Sequence, residues 1–299
     1  MADNFAPGHV LLNDRIVPVA EARISPFDRG LLFGDGVFET MRTYGGQVFR
    51  FNPHMERLRR SMAALELASS VEPARLRELI DALLAAEGLS EGRLRLTVTG
   101  GAFDGQIRLK RSGPATVFAF ATPLVTPRAE EYRNGIDLVL SGFRQPWASP
   151  LARIKTIHRL EYLMAREEAL RQGVSDALIL DDRGGLCEGT SSNLFLIRRG
   201  VLVTPSLDSP ILPGVTRDAV IEAARSVGIP VEERFIPLEE LWDAAEVFVT
   251  ATSWEVLPVR TVNGKVVGPG ARGAVTEKIH AAFRALVAAE VATTIPRPL

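Results

Sequence analysis

Strict alternation of apolar and polar positions predicts a strand over residues 92–99. In residues 92–99, Leu94, Leu96 and Val98 fall on one face, while two arginines and two threonines share the other. Helical spacing of apolar residues predicts two helices, over residues 52–65 and 73–87, and Gly88 ends the second. Further strands are predicted at residues 10–12, 15–18, 37–44, 47–50 and 115–121.

The second half of the chain is denser in apolar strand patterns. Two prolines within Thr122–Pro127 predict a linker over residues 122–133, which separates a domain of residues 1–121 from one of residues 134–299. Helices are predicted from Leu212 to about Val227 and from Ala271 to about Ala289. Strands are predicted at residues 135–141, 176–180, 186–189, 193–197, 201–204 and 247–253.

One lysine between these patterns is a candidate nucleophile. Leu160, Leu163, Met164 and Leu170 recur at helical spacing, which predicts a helix that buries this face and has Lys155 at its start. Desolvation there would disfavour the ammonium form and yield the neutral amine that a Schiff-base lysine needs. The alternative is an ordinary solvated lysine at a helix end.

Other polar positions suggest a site for an anionic ligand. Glu188 falls in a mostly apolar strand, where it is either buried with a partner or exposed at a sheet edge. The helix that opens at residues 212–218 offers backbone amides and the Thr216 hydroxyl to a phosphate. Thr252 is among the hydroxyls that end the strand predicted over residues 247–253. Arg57 shares a helix face with His54 and is either an anion ligand or solvated.

Composition narrows the class of protein. The 299 residues carry 35 basic and 36 acidic side chains, so neither nucleic acid nor an anionic membrane is expected as a partner. A single cysteine, Cys187, excludes an internal disulfide and is typical of a reducing compartment. Residues 1–8 lack the pattern of a signal peptide, and we expect a cytoplasmic protein without a bound metal.

A lysine amine, a buried carboxylate and phosphate donors are together what pyridoxal phosphate requires. Its aldehyde needs an amine, its ring nitrogen needs an acidic partner, and its phosphate needs oriented donors.

Three glycines, Gly30, Gly34 and Gly36, let the backbone turn sharply and approach a neighbour closely, but their spacing is not that of a phosphate loop.

The ordered motifs of the chain resemble the class IV aminotransferases, which are fold-type IV pyridoxal-phosphate enzymes. That family includes D-amino-acid aminotransferase, branched-chain aminotransferase and 4-amino-4-deoxychorismate lyase. The similarity covers nearly the whole chain. The matching runs are Phe33-Gly34-Asp35-Gly36-Val37-Phe38-Glu39, His54-Met55-Glu56-Arg57-Leu58, Ile154-Lys155-Thr156, Glu188-Gly189-Thr190-Ser191-Ser192-Asn193-Leu194-Phe195, Leu212-Pro213-Gly214-Val215-Thr216-Arg217 and Thr250-Ala251-Thr252.

The resemblance implies a fold, a cofactor and a set of roles. It implies an α/β (α+β) protein with a small N-terminal α/β domain, a larger C-terminal domain with a β-barrel-like core, and a homodimer. It implies that Lys155 forms the Schiff base with pyridoxal 5'-phosphate and that Glu188 pairs with the ring nitrogen. The remaining cofactor-binding residues that it implies are Arg57, Ser192, Val215, Thr216 and Thr252.

Departures from the family pattern affect the expected substrate. The tyrosine that branched-chain enzymes usually carry five residues after the lysine is Leu160 here, and Tyr162 follows two positions later. The arginine–histidine pair with which D-amino-acid enzymes bind the substrate carboxylate should fall near Gly105–Ile107 and is absent. We therefore expect Arg95 to bind that carboxylate, helped by Arg108, and Phe33 to contact the substrate; the alternative for Arg95 is a solvated or structural side chain.

The expected activity is transamination between an amino acid and a 2-oxo acid. D-Amino acids are placed slightly ahead of branched-chain L-amino acids. The runner-up is a lyase that releases pyruvate and 4-aminobenzoate from 4-amino-4-deoxychorismate, since Arg159-Leu160-Glu161 and Thr99-Gly100-Gly101 resemble that enzyme. A third hypothesis is a non-catalytic protein that binds the cofactor without turnover.

Overall fold

The structure is a computed structural model that describes residues 6–68, 72–111 and 113–294. Residues 1–5, which open the segment considered above for a signal peptide, lie outside this range. Backbone contacts divide the chain into two compact units. The N-terminal unit contains the described residues up to Val125, the short segment Ile154–His158, and the described residues from Glu290 to Thr294. The C-terminal unit contains Thr126–Arg153 and Arg159–Ala289. The domain boundaries proposed from the sequence remain a prediction.

The N-terminal unit is an antiparallel sheet with helices packed on it. Its strands are β1 (His9–Leu12), β2 (Arg15–Pro18), β3 (Gly36–Tyr44), β4 (Gln47–Val48), β5 (Gly92–Thr99) and β6 (Thr116–Pro123), and its helices are α1 (Arg29–Phe33), α2 (Phe51–Ala64) and α3 (Pro73–Glu87), with a 3-10 turn at Val19–Glu21. The strand order is β2-β1-β6-β5-β3-β4. The alternation in β5 buries Leu94, Leu96 and Val98 in a core with apolar residues of α2 and α3, as the pattern predicts.

The C-terminal unit is built on a second, larger sheet. Its strands are β7 (Ile136–Gln145), β8 (Asp176–Asp181), β9 (Leu186–Gly189), β10 (Asn193–Arg198), β11 (Val201–Pro205), β12 (Val231–Arg234), β13 (Glu246–Ala251), β14 (Glu255–Val262) and β15 (Lys265–Val266). Its helices are α4 (Ala129–Asn134), α5 (Leu160–Arg171), α6 (Val215–Ser226), α7 (Glu239–Trp242) and α8 (Ala274–Thr294), of which α8 extends beyond Ala289 into the segment assigned to the N-terminal unit.

Six strands of this sheet close into a barrel. They follow the order β10-β13-β14-β7-β8-β9, and β9 pairs again with β10, where Glu188 lies opposite Asn193. A closed sheet leaves no exposed edge along this ring. The mixed α/β fold with a barrel-like core that the sequence analysis expected is therefore confirmed. Closure also brings Glu188 and Asn193 together from two strands.

The segment that carries Lys155 is not helical, so its predicted position at the start of a helix is wrong. Helix α5 begins only at Leu160. The preceding segment pairs with β3 instead: the Phe38 amide donates to the Lys155 carbonyl at 2.9 Å, and the Ile157 amide donates to the Gly36 carbonyl at 3.0 Å. This pairing with a distant strand satisfies backbone groups that a helix would otherwise pair locally.

The inward face predicted for α5 is also wrong. Leu160, Leu163, Met164 and Leu170 are 60%, 62%, 66% and 54% exposed. The helix packs on β7 and β8 through the opposite side, where the small residues Ala165 and Ala169 are buried. The periodicity identifies an apolar face correctly, but within this chain that face is uncovered.

Among the described residues, no helix is long and apolar enough to cross a membrane.

Candidate active site

Lys155 is the least exposed lysine of the chain. The four lysines are Lys110, Lys155, Lys265 and Lys278; all lie among the described residues, and the other three are exposed, whereas Lys155 is half-buried. Its Nζ lies 4.8 Å from the centre of the Phe38 ring. The pairing with β3 fixes its backbone, because the Lys155 carbonyl accepts from the Phe38 amide. A half-buried amine on an aromatic face fits the environment of a nucleophilic lysine.

The Phe38 ring also contacts Arg95. The Arg95 guanidinium carbon lies 3.8 Å from the ring centre, within the range of a cation–π contact. Arg95 is half-buried on β5, and β5 pairs with β3 so that Arg95 lies opposite Thr40. One aromatic ring therefore contacts both the lysine amine and the guanidinium for which the sequence predicts a role in carboxylate binding.

Two glycines, Gly34 and Gly36, allow the sharp turn and the close packing around β3. Gly34 has a φ of 65°, in the left-handed region, where it ends α1. At Gly36 a Cβ atom would lie 2.8 Å from the Val98 carbonyl oxygen and 3.0 Å from the Ile157 side chain. The sharp turn and close approach predicted for this glycine run are therefore present, and they allow the Lys155 segment to lie directly against β3.

Arg57 is buried in the N-terminal unit and paired with a carboxylate. Its Nε and Nη2 lie 2.8 and 2.6 Å from the two oxygens of Glu39, which is fully buried on β3. Nδ1 of His54 lies 2.8 Å from the same carboxylate. The surface alternative for Arg57 is wrong; the side chain is 4% exposed. A bidentate pair of this kind fixes the plane of the guanidinium.

The groups of this cluster shift the pKa values of Glu39 and His54. Burial alone would raise the pKa of Glu39, but Arg57 and the hydrogen bond from His54 hold it at about 2. Burial lowers the pKa of His54, and although Glu39 opposes that effect, the positive charges of Arg57 and Lys155 add to it. The imidazole is therefore neutral at pH 7, and Nδ1 carries the proton that it donates to Glu39.

In the C-terminal unit, Glu188 is a buried carboxylate with neutral hydrogen-bond donors. The Leu212 amide donates to Oε2 at 3.0 Å, and the Asn193 side-chain amide lies 3.4 Å from the same oxygen. The Tyr162 hydroxyl lies 3.3 Å from Oε1. Glu188 is 5% exposed, so the alternative of an edge-strand carboxylate facing water is wrong.

The start of α6 offers donors to an anion in this unit. Gly214 precedes the helix, and no side chain accepts a hydrogen bond at its N-cap, so backbone amides there including that of Val215 lack intrahelical partners. A Cβ at Gly214 would lie 2.0 Å from the Asn193 side-chain oxygen, so only glycine fits. Asn193 in turn donates to the Leu212 carbonyl at 3.0 Å, which joins this turn to the barrel closure.

Three buried hydroxyls of the C-terminal unit have no hydrogen-bond partner among the described residues. They belong to Ser192, Ser209 and Thr250, which are 5%, 1% and 1% exposed. Buried hydroxyls without partners are uncommon in a folded protein and are a reason to expect a ligand or water. Thr252 follows β13 and is half-buried, as is Thr216.

Pyridoxal phosphate fits the groups present. The N-terminal unit supplies the half-buried amine of Lys155, and the C-terminal unit supplies the buried carboxylate of Glu188, the amides at Val215 and the unsatisfied hydroxyl of Ser192. These are a carbonyl-reactive amine, a partner for a protonated ring nitrogen and donors for a phosphate. Within residues 6–68, 72–111 and 113–294, no cluster of His, Cys, Asp or Glu is arranged to hold a metal ion.

The two other residues predicted to contact substrate are more exposed. Phe33 ends α1, is 46% exposed and packs edge-on against Phe103 at 5.3 Å. Arg108 is largely exposed and pairs with Asp104 at 3.2 Å. The backbone of the loop that carries Arg108 is held by Arg29, which donates hydrogen bonds to the carbonyls of Gln106 and Arg108 at 3.2 and 2.8 Å.

Several residues of these clusters were not identified from the sequence. Glu39 ends one of the matching runs and Tyr162 follows Leu160, but the sequence analysis gave neither a role. Gln145 lies at the end of β7, far in sequence from Glu188. The one available signal was a carboxylate at Glu39 among the apolar positions of a predicted strand. A charged residue in such a position needs a partner, and His54 and Arg57 provide it.

Comparison with known proteins gives a consistent result. Residues 36–262 match the family model described as amino-transferase class IV. A D-alanine aminotransferase from Bacillus licheniformis is 31% identical over 286 residues, covering 96% of this chain and 99% of the relative.

Solved structures agree with this match. The branched-chain amino acid aminotransferase of Escherichia coli superposes with a TM-score of 0.87 at 32% identity, covering 94% of this chain and 95% of that chain. The T.th. branched-chain amino acid aminotransferase, solved with pyridoxamine 5'-phosphate, superposes with a TM-score of 0.88 at 29% identity, covering 95% of each chain.

Proposed function

Because the chain belongs to the class IV aminotransferase family, we propose that it transfers an amino group between an amino acid and a 2-oxo acid, with D-amino acids preferred over branched-chain L-amino acids. The observation that carries this proposal is the environment of Lys155. It is the one lysine of the four that is not exposed, and its amine lies on the same aromatic ring as Arg95.

The cofactor is pyridoxal 5'-phosphate, which supplies an aldehyde carbon for the substrate amine and an electron sink for the α-carbon. Lys155 Nζ would be the amine that holds the cofactor through that carbon. Once freed by the substrate amine, Nζ would act as the base that takes up the substrate α-proton and later gives it back. Phe38 covers one side of this amine, with its ring centre 4.8 Å from Nζ.

The roles proposed for the C-terminal unit concern the ring nitrogen and the phosphate. Glu188 holds the proton on the ring nitrogen, and its burial is offset by pairing with that positive charge. The amides of Val215 and Thr216, with the hydroxyls of Ser192 and Thr252, donate to the phosphate oxygens. In the N-terminal unit, Arg57 is proposed as a further phosphate ligand, with its guanidinium plane fixed by Glu39.

Arg95 is proposed to bind the substrate carboxylate. The amine and the carboxylate of an amino acid are separated by one carbon, so a carboxylate ligand must lie near the lysine amine. Arg95 meets this requirement, because it and Lys155 contact the same ring. Phe33 and Arg108 are proposed as further substrate contacts.

Two observations favour a D-amino acid as the substrate. Leu160 replaces the tyrosine expected of a branched-chain enzyme, and the relative from Bacillus licheniformis is named a D-alanine aminotransferase. Against this, the structural relatives above are named branched-chain enzymes. Release of pyruvate from 4-amino-4-deoxychorismate is the alternative, because Arg159-Leu160-Glu161 and Thr99-Gly100-Gly101 resemble the lyase.

A homodimer is proposed as the working assembly. The face of α5 exposes Leu163, Met164 and Leu170, and it also carries the ion pair of Glu167 with Arg171. A face with apolar residues and both charge signs is self-complementary about a two-fold axis, since Glu167 of one copy can meet Arg171 of the other. A cytoplasmic location, which fits the single buried thiol of Cys187, is proposed with it.

The experiment is a single half-reaction with each of three amino acids. The cofactor-loaded protein is mixed with D-alanine, D-glutamate or L-leucine, and the visible absorbance is followed together with the 2-oxo acid formed. We expect loss of the lysine-linked absorbance with a D-amino acid and formation of the matching 2-oxo acid. A response to L-leucine alone would reverse the preferred hand. No response to any of the three, with pyruvate released from 4-amino-4-deoxychorismate, would replace transamination by the lyase reaction.

A further inference from the structure

We propose that Tyr162 is a positioning residue that sets how strongly Glu188 holds a proton, with Gln145 as the competing acceptor for the tyrosine hydroxyl. The proposal rests on the role of Glu188 proposed above. It concerns a residue two positions beyond the site where branched-chain enzymes carry their tyrosine.

The geometry of the Tyr162 hydroxyl carries this inference. Its oxygen lies 3.3 Å from Oε1 of Glu188 and 3.3 Å from Oε1 of Gln145. A hydroxyl has one proton, so it donates to one of these acceptors at a time or divides a weak bond between them. Tyr162 projects from the first turn of α5, whereas Gln145 ends β7 and Glu188 lies in β9, so three elements meet at one hydroxyl.

The hydroxyl remains a donor over the working pH range. Burial and the charge of Glu188 raise the pKa of Tyr162, while Arg159 opposes the rise. The Arg159 guanidinium lies 3.4 Å from the centre of the Tyr162 ring and donates to the Thr190 carbonyl at 2.6 Å. Arg159 therefore holds the Tyr162 ring in place from one face. The Phe143 ring packs against it in an edge-to-face arrangement, with the ring centres 6.2 Å apart.

The other groups around Glu188 determine what the tyrosine can change. Leu212 and Asn193 donate to Oε2, so the Tyr162 hydroxyl acts on the other oxygen. Cys187 precedes Glu188 on β9. Burial, and to a lesser extent the negative charges of Asp181 and Glu188, raise the pKa of Cys187, so its side chain is a neutral thiol. Arg159 is the cation on the tyrosine side.

A donor on Oε1 keeps the carboxylate a weaker base. A hydrogen bond donated to an ionised carboxylate stabilises it relative to the carboxylic acid. A proton shared between Glu188 and a cofactor ring nitrogen then stays on the nitrogen, where it is needed for the electron sink. Loss of the Tyr162 hydroxyl shifts the proton toward Glu188, and loss of the Gln145 acceptor directs the hydroxyl fully to Glu188 and has the opposite effect.

The first test is a titration of Glu188 in the cofactor-free protein. The protein is labelled with glutamate carrying ¹³C at the carboxyl carbon, and the Glu188 signal is assigned by its loss in Glu188→Gln. In Tyr162→Phe, we expect the pH midpoint of this signal to rise by about one unit, the size of one hydrogen bond to a charged group. In Gln145→Met, which keeps the side-chain length, we expect the midpoint to fall.

Opposite shifts distinguish this role from general structural damage. Tyr44→Phe is the matched control, since Tyr44 lies in the N-terminal unit and packs on Phe49; it should leave the midpoint unchanged. An unchanged midpoint in Tyr162→Phe, or shifts of the same sign in both test variants, overturns the proposal. Should Tyr162→Phe fail to fold, Gln145→Met decides alone: a lowered midpoint supports the role, and an unchanged or raised one contradicts it.

The second test uses the loaded protein and separates this proposal from the proposed function. With cofactor labelled by ¹⁵N at the ring, we expect the nitrogen signal of Tyr162→Phe to move toward that of a neutral pyridine, relative to the wild type. A wild type that takes up no cofactor overturns the proposed function. A wild type that holds a protonated ring nitrogen, with an identical signal in Tyr162→Phe, overturns only the role of Tyr162.

Discussion

Arg57 lies side-on to Glu39, with Nε and Nη2 each bonded to a different carboxylate oxygen, at 2.8 and 2.6 Å. Both side chains are buried, one on α2 and the other on β3. His54, one helical turn before Arg57, donates to the same carboxylate. The pair orients the guanidinium before any ligand binds, and it makes the stability of the N-terminal unit depend on residues proposed to serve the cofactor.

Removing one partner of this pair should destabilise the protein strongly. Glu39→Ala leaves the Arg57 charge buried without its carboxylate, which typically costs about 3–5 kcal/mol. Urea unfolding of the cofactor-free protein measures this change in the free energy of unfolding. The matched control is Glu56→Ala, because Glu56 pairs with Arg59 on the exposed side of the same helix. A loss in Glu39→Ala no larger than in the control would show that the buried pair does not matter for stability.

Stability should fall as the pH drops below the ordinary pKa of histidine, because of His54. Burial lowers the pKa of His54 below its ordinary value of 6.5. Below that pH the unfolded chain takes up a proton that the native protein does not, so the free energy of unfolding decreases as pH falls. His54→Asn, which can still donate to Glu39, should reduce this slope in urea titrations between about pH 7.5 and 5.5. The same substitution at exposed His158 is the control, and equal slopes in His54→Asn and the wild type would contradict the prediction.

Arg95 should matter for substrate binding, and its neighbour Arg93 should not. Both lie on the polar face of β5, but Arg95 contacts the Phe38 ring that Lys155 also contacts. Arg95→Ala removes a charge-assisted hydrogen bond to the substrate carboxylate, and we expect KM to rise roughly ten- to hundredfold. Steady-state kinetics of both variants with the preferred amino acid provide the measurement. An unchanged KM in Arg95→Ala, or an equal rise in Arg93→Ala, would remove Arg95 from its proposed role.

The exposed face of α5 should be needed for assembly. Met164→Glu places a charge in the centre of the apolar face, where burial without a partner is costly, and we expect dissociation of the dimer. Sedimentation velocity measures the change. Val266→Glu, at another exposed apolar position on β15, is the matched control and should remain dimeric. A Met164→Glu protein that sediments as the wild-type dimer would exclude this face as the interface.

The sequence predicted the positions of helices and strands better than it predicted which of their side chains are buried. The alternation over residues 92–99 correctly separated the buried Leu94, Leu96 and Val98 from the arginines. It missed the burial of Thr97 and Thr99; Thr99 donates to buried Asp28 at 2.9 Å. Alternation records which side chains are apolar, and it does not show that the polar face is covered as well.

Long-range pairing explains the other differences. Leu160, Leu163 and Met164 have helical spacing, and the helix forms, but spacing does not reveal whether a surface is covered by the same chain. The Lys155 segment departs from the predicted helix because it pairs with β3, more than a hundred residues earlier. Ordered motifs predicted roles for Glu188, Ser192 and Val215, which stay predictions. The partners of Glu188 come from other elements, and no local sequence pattern shows that these elements meet.

The central claim is that Lys155 carries the cofactor, and mapping the linked residue tests it most directly. The loaded protein is treated with borohydride to make the link permanent, digested, and examined by mass spectrometry. We predict the added mass of the cofactor on the peptide containing Lys155, and none on Lys110, Lys265 or Lys278. Cofactor attached to one of the three exposed lysines, or no attachment to any, would contradict the account.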